Sequence, residues 1–367
     1  MYPKLLVFLG AGASSALGIP TNRRFFDDYL RNTPYKVTDI PKAFPFGFYE
    51  AVKSTGIAPL DIEAIMSILT AIAGNRRDDI NPKDALLSAG NPGIRFAQSS
   101  ECDNFLTPKA TENAKLLLRD VKEFIRHRCS QFEESKLRAV YEPVLTPFQG
   151  LPWTAGGRDV AIGGQGFYST TLPHFSCFTT NYDCAMESYL DGRGIEYESG
   201  FVVKGKHSIL DKRRIHIGSM TWCLFKLHGS VDMLQLEDGS VVSTQQYIPG
   251  EPTFMGKAVR EEVLIYPTHE KAILRYPFFD FLFEFVQALR DADIWLFLGF
   301  SFSDYPIVRL LQDEASAYKK MLVVAPDADD ICKETLGVLH DSMQIVPVNG
   351  RLGDDDITQK IASKNKA

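Results

Sequence analysis

Residues 294–348 read IWLFLGFSFSDYPIVRLLQDEASAYKKMLVVAPDADDICKETLGVLHDSMQIVPV, and their order decides the architecture. Residues 294–298, 321–325 and 345–348 are short apolar runs without alternation, the pattern of strands buried on both faces of a parallel sheet. Helical stretches separate them. The first opens with Ser303 or Asp304 as cap and Pro306 just inside, and the second is expected over 328–340. Strand, helix, strand, helix, strand is repeated βαβ logic, which predicts an α/β fold with a Rossmann-like, doubly wound parallel sheet. Toward the N-terminus the same kind of run recurs at 222–227, 175–180 and 5–9.

The predicted sheet is interrupted in sequence. Its first strand and a glycine turn occupy residues 4–20, and the next strand waits until about residue 175. In between, Ile62, Ile65, Ile68, Leu69 and Ile72, and again Leu117, Val121, Phe124 and Ile125, follow the three- and four-residue spacing of amphipathic helices. Residues 1–21 and 171–350 are therefore expected to form one discontinuous domain, 22–170 a large helical insertion, and 351–367 a C-terminal tail. Within the insertion, the polar stretch 74–111 has the composition of a mobile cover, and 156–166 is rich in glycine.

Composition narrows the functional classes. The 367 residues are 45% hydrophobic and 23% charged, as in ordinary globular proteins, and 40 basic against 46 acidic residues leave a net charge of −6. That balance gives no global attraction to nucleic acid or to an anionic membrane. The six cysteines, at 102, 129, 177, 184, 223 and 332, include no CxxC pair, which argues against a zinc ribbon and a disulfide framework. The opening apolar run is too short for a signal peptide or a membrane span, so a cytoplasmic protein without direct membrane binding is expected.

Four segments carry candidate chemistry, and all follow predicted strands. Gly10-Ala11-Gly12-Ala13-Ser14 lies between the first strand and Gly18-Ile19-Pro20. Glycines there let backbone amides approach a diphosphate, although tight turns also use glycine for steric reasons alone. Ser15 stands where a dehydrogenase loop has its third glycine, and no strand-ending carboxylate follows about twenty residues on, so hydride transfer is the poorer reading. Thr179-Thr180-Asn181-Tyr182-Asp183 ends a buried strand in polar residues, either facing a ligand crevice or forming an Asx turn. Lys226-Leu227-His228-Gly229-Ser230 sets an imidazole at another strand end, as a base or as a hydrogen-bonded structural histidine. In Gly299-Phe300-Ser301-Phe302-Ser303-Asp304, polar groups can meet ribose or phosphate, cap the next helix, or do both.

Taken in order, these segments resemble the sirtuins and their bacterial sirtuin-like relatives. The resemblance implies that Gly10, Ala11, Gly12 and Ser14 hold the diphosphate of NAD. It also implies that Asn181 and Asp183 engage ribose and nicotinamide, that His228 is the catalytic base, and that Gly299 and Ser301, with Asp304 closing the motif, bind the adenosine side. A bulky residue at Gly12 should then occupy the space of the diphosphate. Two departures matter. Residues 231–298 contain no cysteine, so the four-cysteine zinc module of deacetylating sirtuins is missing, and after Gly18-Ile19-Pro20 the chain reads Thr21-Asn22-Arg23, in which only Arg23 is kept.

What remains implies the NAD half of sirtuin chemistry, as in sirtuin-like NADases of bacterial antiphage systems, with the variety that works with a HerA-type ATPase looking closest. The expected activity is hydrolysis of NAD, as substrate and without a metal, to ADP-ribose and nicotinamide. A silent NAD- or ADP-ribose-binding module and a protein deacylase are the alternatives. An unrestrained NADase would deplete its own cell, so a homo-oligomer larger than a dimer, controlled by a HerA-type ATPase, is expected.

Overall fold

The computed structural model describes residues 4–31, 40–41, 43–57, 60–73, 92–97, 99–105, 107–148, 175–215, 222–244, 252–264, 276–339 and 341–365. In chain order its strands are β1 (Leu5–Leu9), β2 (Ser176–Thr179), β3 (Tyr197–Glu198), β4 (Phe201–Lys204), β5 (His207–Leu210), β6 (Trp222–Lys226), β7 (Gly229–Leu236), β8 (Val241–Ser243), β9 (Thr253–Phe254), β10 (Lys257–Leu264), β11 (Ile294–Leu298), β12 (Lys320–Ala325) and β13 (Gln344–Asn349). Its helices are α1 (Ala11–Ser15), α2 (Asn22–Arg31), α3 (Ala43–Ser54), α4 (Ile62–Ala73), α5 (Pro92–Ala97), α6 (Pro108–Ser130), α7 (Leu137–Leu145), α8 (Ala185–Gly192), α9 (Phe278–Asp291), α10 (Tyr305–Glu314), α11 (Ala328–Glu334) and α12 (Ile357–Asn365).

The six apolar runs read from the sequence all become strands of one seven-stranded sheet, ordered β13-β12-β11-β1-β2-β6-β3 with every pairing parallel. Strand order reverses at β1. Leu9 pairs with Leu298 on one side and Thr179 on the other, and Thr179 pairs with Lys226. The segments leaving β11, β1, β2 and β6 thus start at one level, at the carboxyl edge beside the reversal, where open parallel sheets receive ligands.

Side chains alternate across this sheet, and its two faces differ in chemistry. Leu5, Val7 and Leu9 join a largely aliphatic core with Leu224 and Leu296, covered by α7, α8 and α12, with Tyr141 and Tyr189 coming from the helices. The opposite face is aromatic. Phe8 lies 5.4 Å from Phe285 and 5.0 Å from Phe297, and Phe225 stacks on Phe281 of α9 at 5.5 Å between ring centroids. Covering both faces is why these strands read as unbroken apolar runs.

A second sheet, ordered β4-β5-β8-β7-β10-β9 and antiparallel, goes unread in the sequence. Four of its strands have only two to four residues and its core is small, with Leu234, Leu236 and Val242 buried against Ile209, Phe254 and Val259. Its local signals are glycine turns: Gly205 at φ 71° turns β4 into β5, Gly239 at φ 80° turns β7 into β8, and Gly256 at φ 73° turns β9 into β10.

The chain divides into two compact units, the first holding residues up to 19, 132–264 and from 273 on, and the second holding 20–131. These boundaries differ from those expected at residues 21 and 170. Helix α7 belongs to the first unit because Val140, Tyr141, Val144 and Leu145 bury in the aliphatic core, and the expected tail is helix α12, anchored there by Ile357 and Ile361. The second unit is helical and rich in aromatic contacts. Part of the stretch expected to be a mobile cover is built into it, since Phe96 is fully buried 6.4 Å from Phe48 and 6.0 Å from Phe105. Residues 74–91 of that stretch, and all of 156–166, lie outside the described residues.

Candidate functional site

Four strand-end turns build the site, and the first two lock together through their glycines. Gly10 N donates to Leu298 O at 2.9 Å and Gly12 N to Gly299 O at 2.8 Å. A Cβ on Gly10 would sit 2.5 Å from Phe300 Cα, and one on Gly12 2.8 Å from Gly299 Cα. Gly299 itself has φ 61°, and its Cβ would reach 2.2 Å from Ala13 N. The expectation that a bulky residue at Gly12 would take the space of a diphosphate is therefore corrected: it would press on backbone. Two of the turn's amides serve the neighbouring turn, and the amide of Ala11 is left without a partner among the described residues.

The second strand end is held by hydrogen bonds that fix the orientation of Asn181. Its Nδ2 donates to Gly10 O at 2.9 Å and to Ser14 Oγ at 3.0 Å. A carbonyl only accepts, so the NH₂ must face Gly10 and Oδ1 faces away, with no partner among the described residues. Ser14, 1% exposed, donates to Asp183 Oδ2 at 2.8 Å and has the buried Tyr141 hydroxyl as a third partner. Asp183 Oδ1 accepts the amide of Ala185 at 3.1 Å, so this carboxylate also serves the start of α8, the Asx-type role. Ser14 and Asp183 are buried and committed to this network, whereas Asn181 has an acceptor to offer.

Lys226 is the residue that sequence reasoning missed. It ends the apolar run of β6 and is 3% exposed, with Nζ 2.9 Å from Glu187 Oε1. It donates to Ser230 Oγ at 2.8 Å and to the carbonyl of Asp183, tying β6 to the Asn181 turn. Burial works against its ammonium, but Cys184, Glu187, Asp232 and Asp183 more than offset this and hold its pKa above the ordinary lysine value. Burial raises the pKa of Glu187, with Lys226 pulling the other way. Lys226→Met leaves that carboxylate without its cation and is expected to cost about 3–5 kcal/mol of stability. Urea denaturation of both proteins checks this, and a loss below about 1 kcal/mol, the worth of a surface pair, would contradict it.

The remaining residues fall in two groups. His228, 7% exposed, follows β6 and lies next to Asp304, the cap of α10. Ser301 and Ser303 join their hydroxyls at 2.9 Å on the exposed side of the Gly299 turn. Arg23 is on α2 in the second unit, where its charge acts on Asp61. Among the described residues, no three His, Cys, Asp or Glu side chains gather as a metal site, and no helix is long and apolar enough to cross a membrane.

Comparison with known proteins adds a family description. A family model described as a SIR2-like domain matches residues 176–347, from the first residue of β2 into β13. Among solved structures, a mutant Sir2 homologue in complex with 2′-O-acetyl ADP ribose aligns at 13% identity over 100% of this chain and 93% of its own, with TM-score 0.45. A Sir2 homologue in complex with NAD aligns at 14% identity over 99% and 90%, also with TM-score 0.45. No curated protein matches the sequence.

Proposed function

We propose that the SIR2-like domain of this chain hydrolyses NAD to ADP-ribose and nicotinamide. The observation that carries the proposal is a pair of free acceptors, Asn181 Oδ1 and one ring nitrogen of His228. Each lies two residues beyond a register-paired position, Thr179 and Lys226, at the ends of adjacent strands. A water molecule has two hydrogens to give. Held by both acceptors, it would turn a lone pair toward ribose C1′ while His228 receives its proton. Nicotinamide leaves as a neutral molecule from a cationic bond, so no general acid is needed, and one base suffices. In this reading Asp183 and Ser14 act through Asn181 by fixing its carboxamide. Gly10, Gly12 and Gly299 hold the turns together, and Ala11 N and Ser301 Oγ are the groups left for the dinucleotide.

The absence of cysteine from residues 231–298 favours NAD hydrolysis over peptide deacylation. Nicotinamide release is expected to be the same with and without an acetyl-lysine peptide, and the peptide should remain acetylated. Release that depends on the peptide would replace this reading with a deacylase. The resemblance extends the proposal to an antiphage effector that depletes NAD, works as a homo-oligomer and answers to a HerA-type ATPase.

A further inference from the structure

The imidazole of His228 meets a carboxylate that arrives from a different strand end. His228 Nε2 lies 3.1 Å from Asp304 Oδ2, with the two side chains 8% and 18% exposed. The other oxygen of Asp304, Oδ1, accepts the amide of Ile307 at 3.4 Å as the cap of α10. One carboxylate thus divides its oxygens between a helix and an imidazole. The turn that delivers it is strained. Phe302 has φ 55°, a left-handed conformation that is unfavourable for a bulky residue and persists where the surroundings enforce it. Its ring is 3% exposed and packs 5.0 Å from Phe297 and 4.9 Å from Phe300.

We infer that Asp304 is the positioning residue that holds His228 in the Nε2–H tautomer and so makes Nδ1 the basic atom. This rests on the reading of His228 as the base in NAD cleavage. An ionised carboxylate offers only acceptors, so the nitrogen facing it carries the proton. A neutral imidazole has one N–H, which leaves Nδ1 bare, and no described residue partners it. In the reaction, the water oxygen bonds to ribose C1′ and its proton moves to Nδ1. The C1′–nicotinamide bond breaks with its electron pair staying on nicotinamide. The cation of NAD is discharged, one proton is gained by His228, and Asp304 faces the resulting imidazolium.

Asp304→Asn separates capping from tautomer control. Asparagine caps helices as well as aspartate does. With Oδ1 kept on the Ile307 amide, Nδ2 would face His228 Nε2, which must then accept, and the proton moves to Nδ1. The expected result is a kcat about 10²–10⁴ lower, the usual worth of a general base, with KM for NAD and the melting temperature little changed. Nitrogen-15 NMR of the histidine side chains, assigned with His228→Gln, should show Nε2–H at His228 in the native protein and Nδ1–H in Asp304→Asn. An Nδ1–H tautomer in the native protein, or unchanged kcat in Asp304→Asn, overturns the inference. An Nε2–H tautomer in a protein that never cleaves NAD would sink the proposed function while leaving the pairing intact.

Discussion

Asn181→Ala is expected to lower the rate of NAD cleavage by two or more orders of magnitude, and His228→Ala to do the same. Positioning and general-base contributions are each typically of that size. For Asn181 the argument rests on a carboxamide that cannot rotate freely, because both Nδ2 bonds, to Gly10 O and Ser14 Oγ, are made within the protein. The unpartnered Oδ1 is thereby aimed before any substrate arrives. Alanine removes that acceptor and also two hydrogen bonds, so the melting temperature and ADP-ribose affinity should be measured on the same preparations. A large loss of turnover with ADP-ribose still bound supports the assignment. Near-normal turnover in both variants would remove it.

Gly229→Ala is expected to cost about 3 kcal/mol or more in stability and to take activity with it. Gly229 has φ 79°, and a Cβ there would sit 1.9 Å from the carbonyl oxygen of Val263, on the strand that β7 pairs with. Both terms are unfavourable: a left-handed conformation for a residue with a side chain, and overlap with backbone that cannot swing away. His228 immediately precedes this position, so any shift that relieves the overlap moves the imidazole. Gly205→Ala is the matched control, since Gly205 has φ 71° but nothing within 4 Å of its Cβ position. Comparing the two denaturation curves isolates the close approach, and equal losses would contradict it.

How far the sequence was legible follows from how each part is buried. Strands such as 294–298 are covered on both faces and therefore read as unbroken apolar runs, so the parallel sheet was open to inspection. The antiparallel sheet was not, because strands of two to three residues such as β8 and β9 carry too little periodicity, and the eight-residue β7 buries Met233 and Leu234 in succession rather than alternating. The glycines of the first turn were found, but a Gly-x-Gly looks the same whether its space belongs to a diphosphate or, as at Gly12, to the backbone of Gly299. Lys226 was hidden inside an apolar run, just before Leu227, though its ammonium ties the His228 and Asn181 turns together. The meeting of Asp304 with His228 joins the ends of two strands that are not even neighbours in the sheet, which no local pattern can reveal.

The most direct test is chromatography of NAD incubated with the purified full-length protein, both alone and with a co-expressed ATPase partner. The account predicts that nicotinamide and ADP-ribose appear in equal amounts in at least one of the two conditions, and at a rate at least about 100-fold lower with Asn181→Ala. NAD recovered intact in both, from protein that binds ADP-ribose, would contradict it and leave a silent binding module.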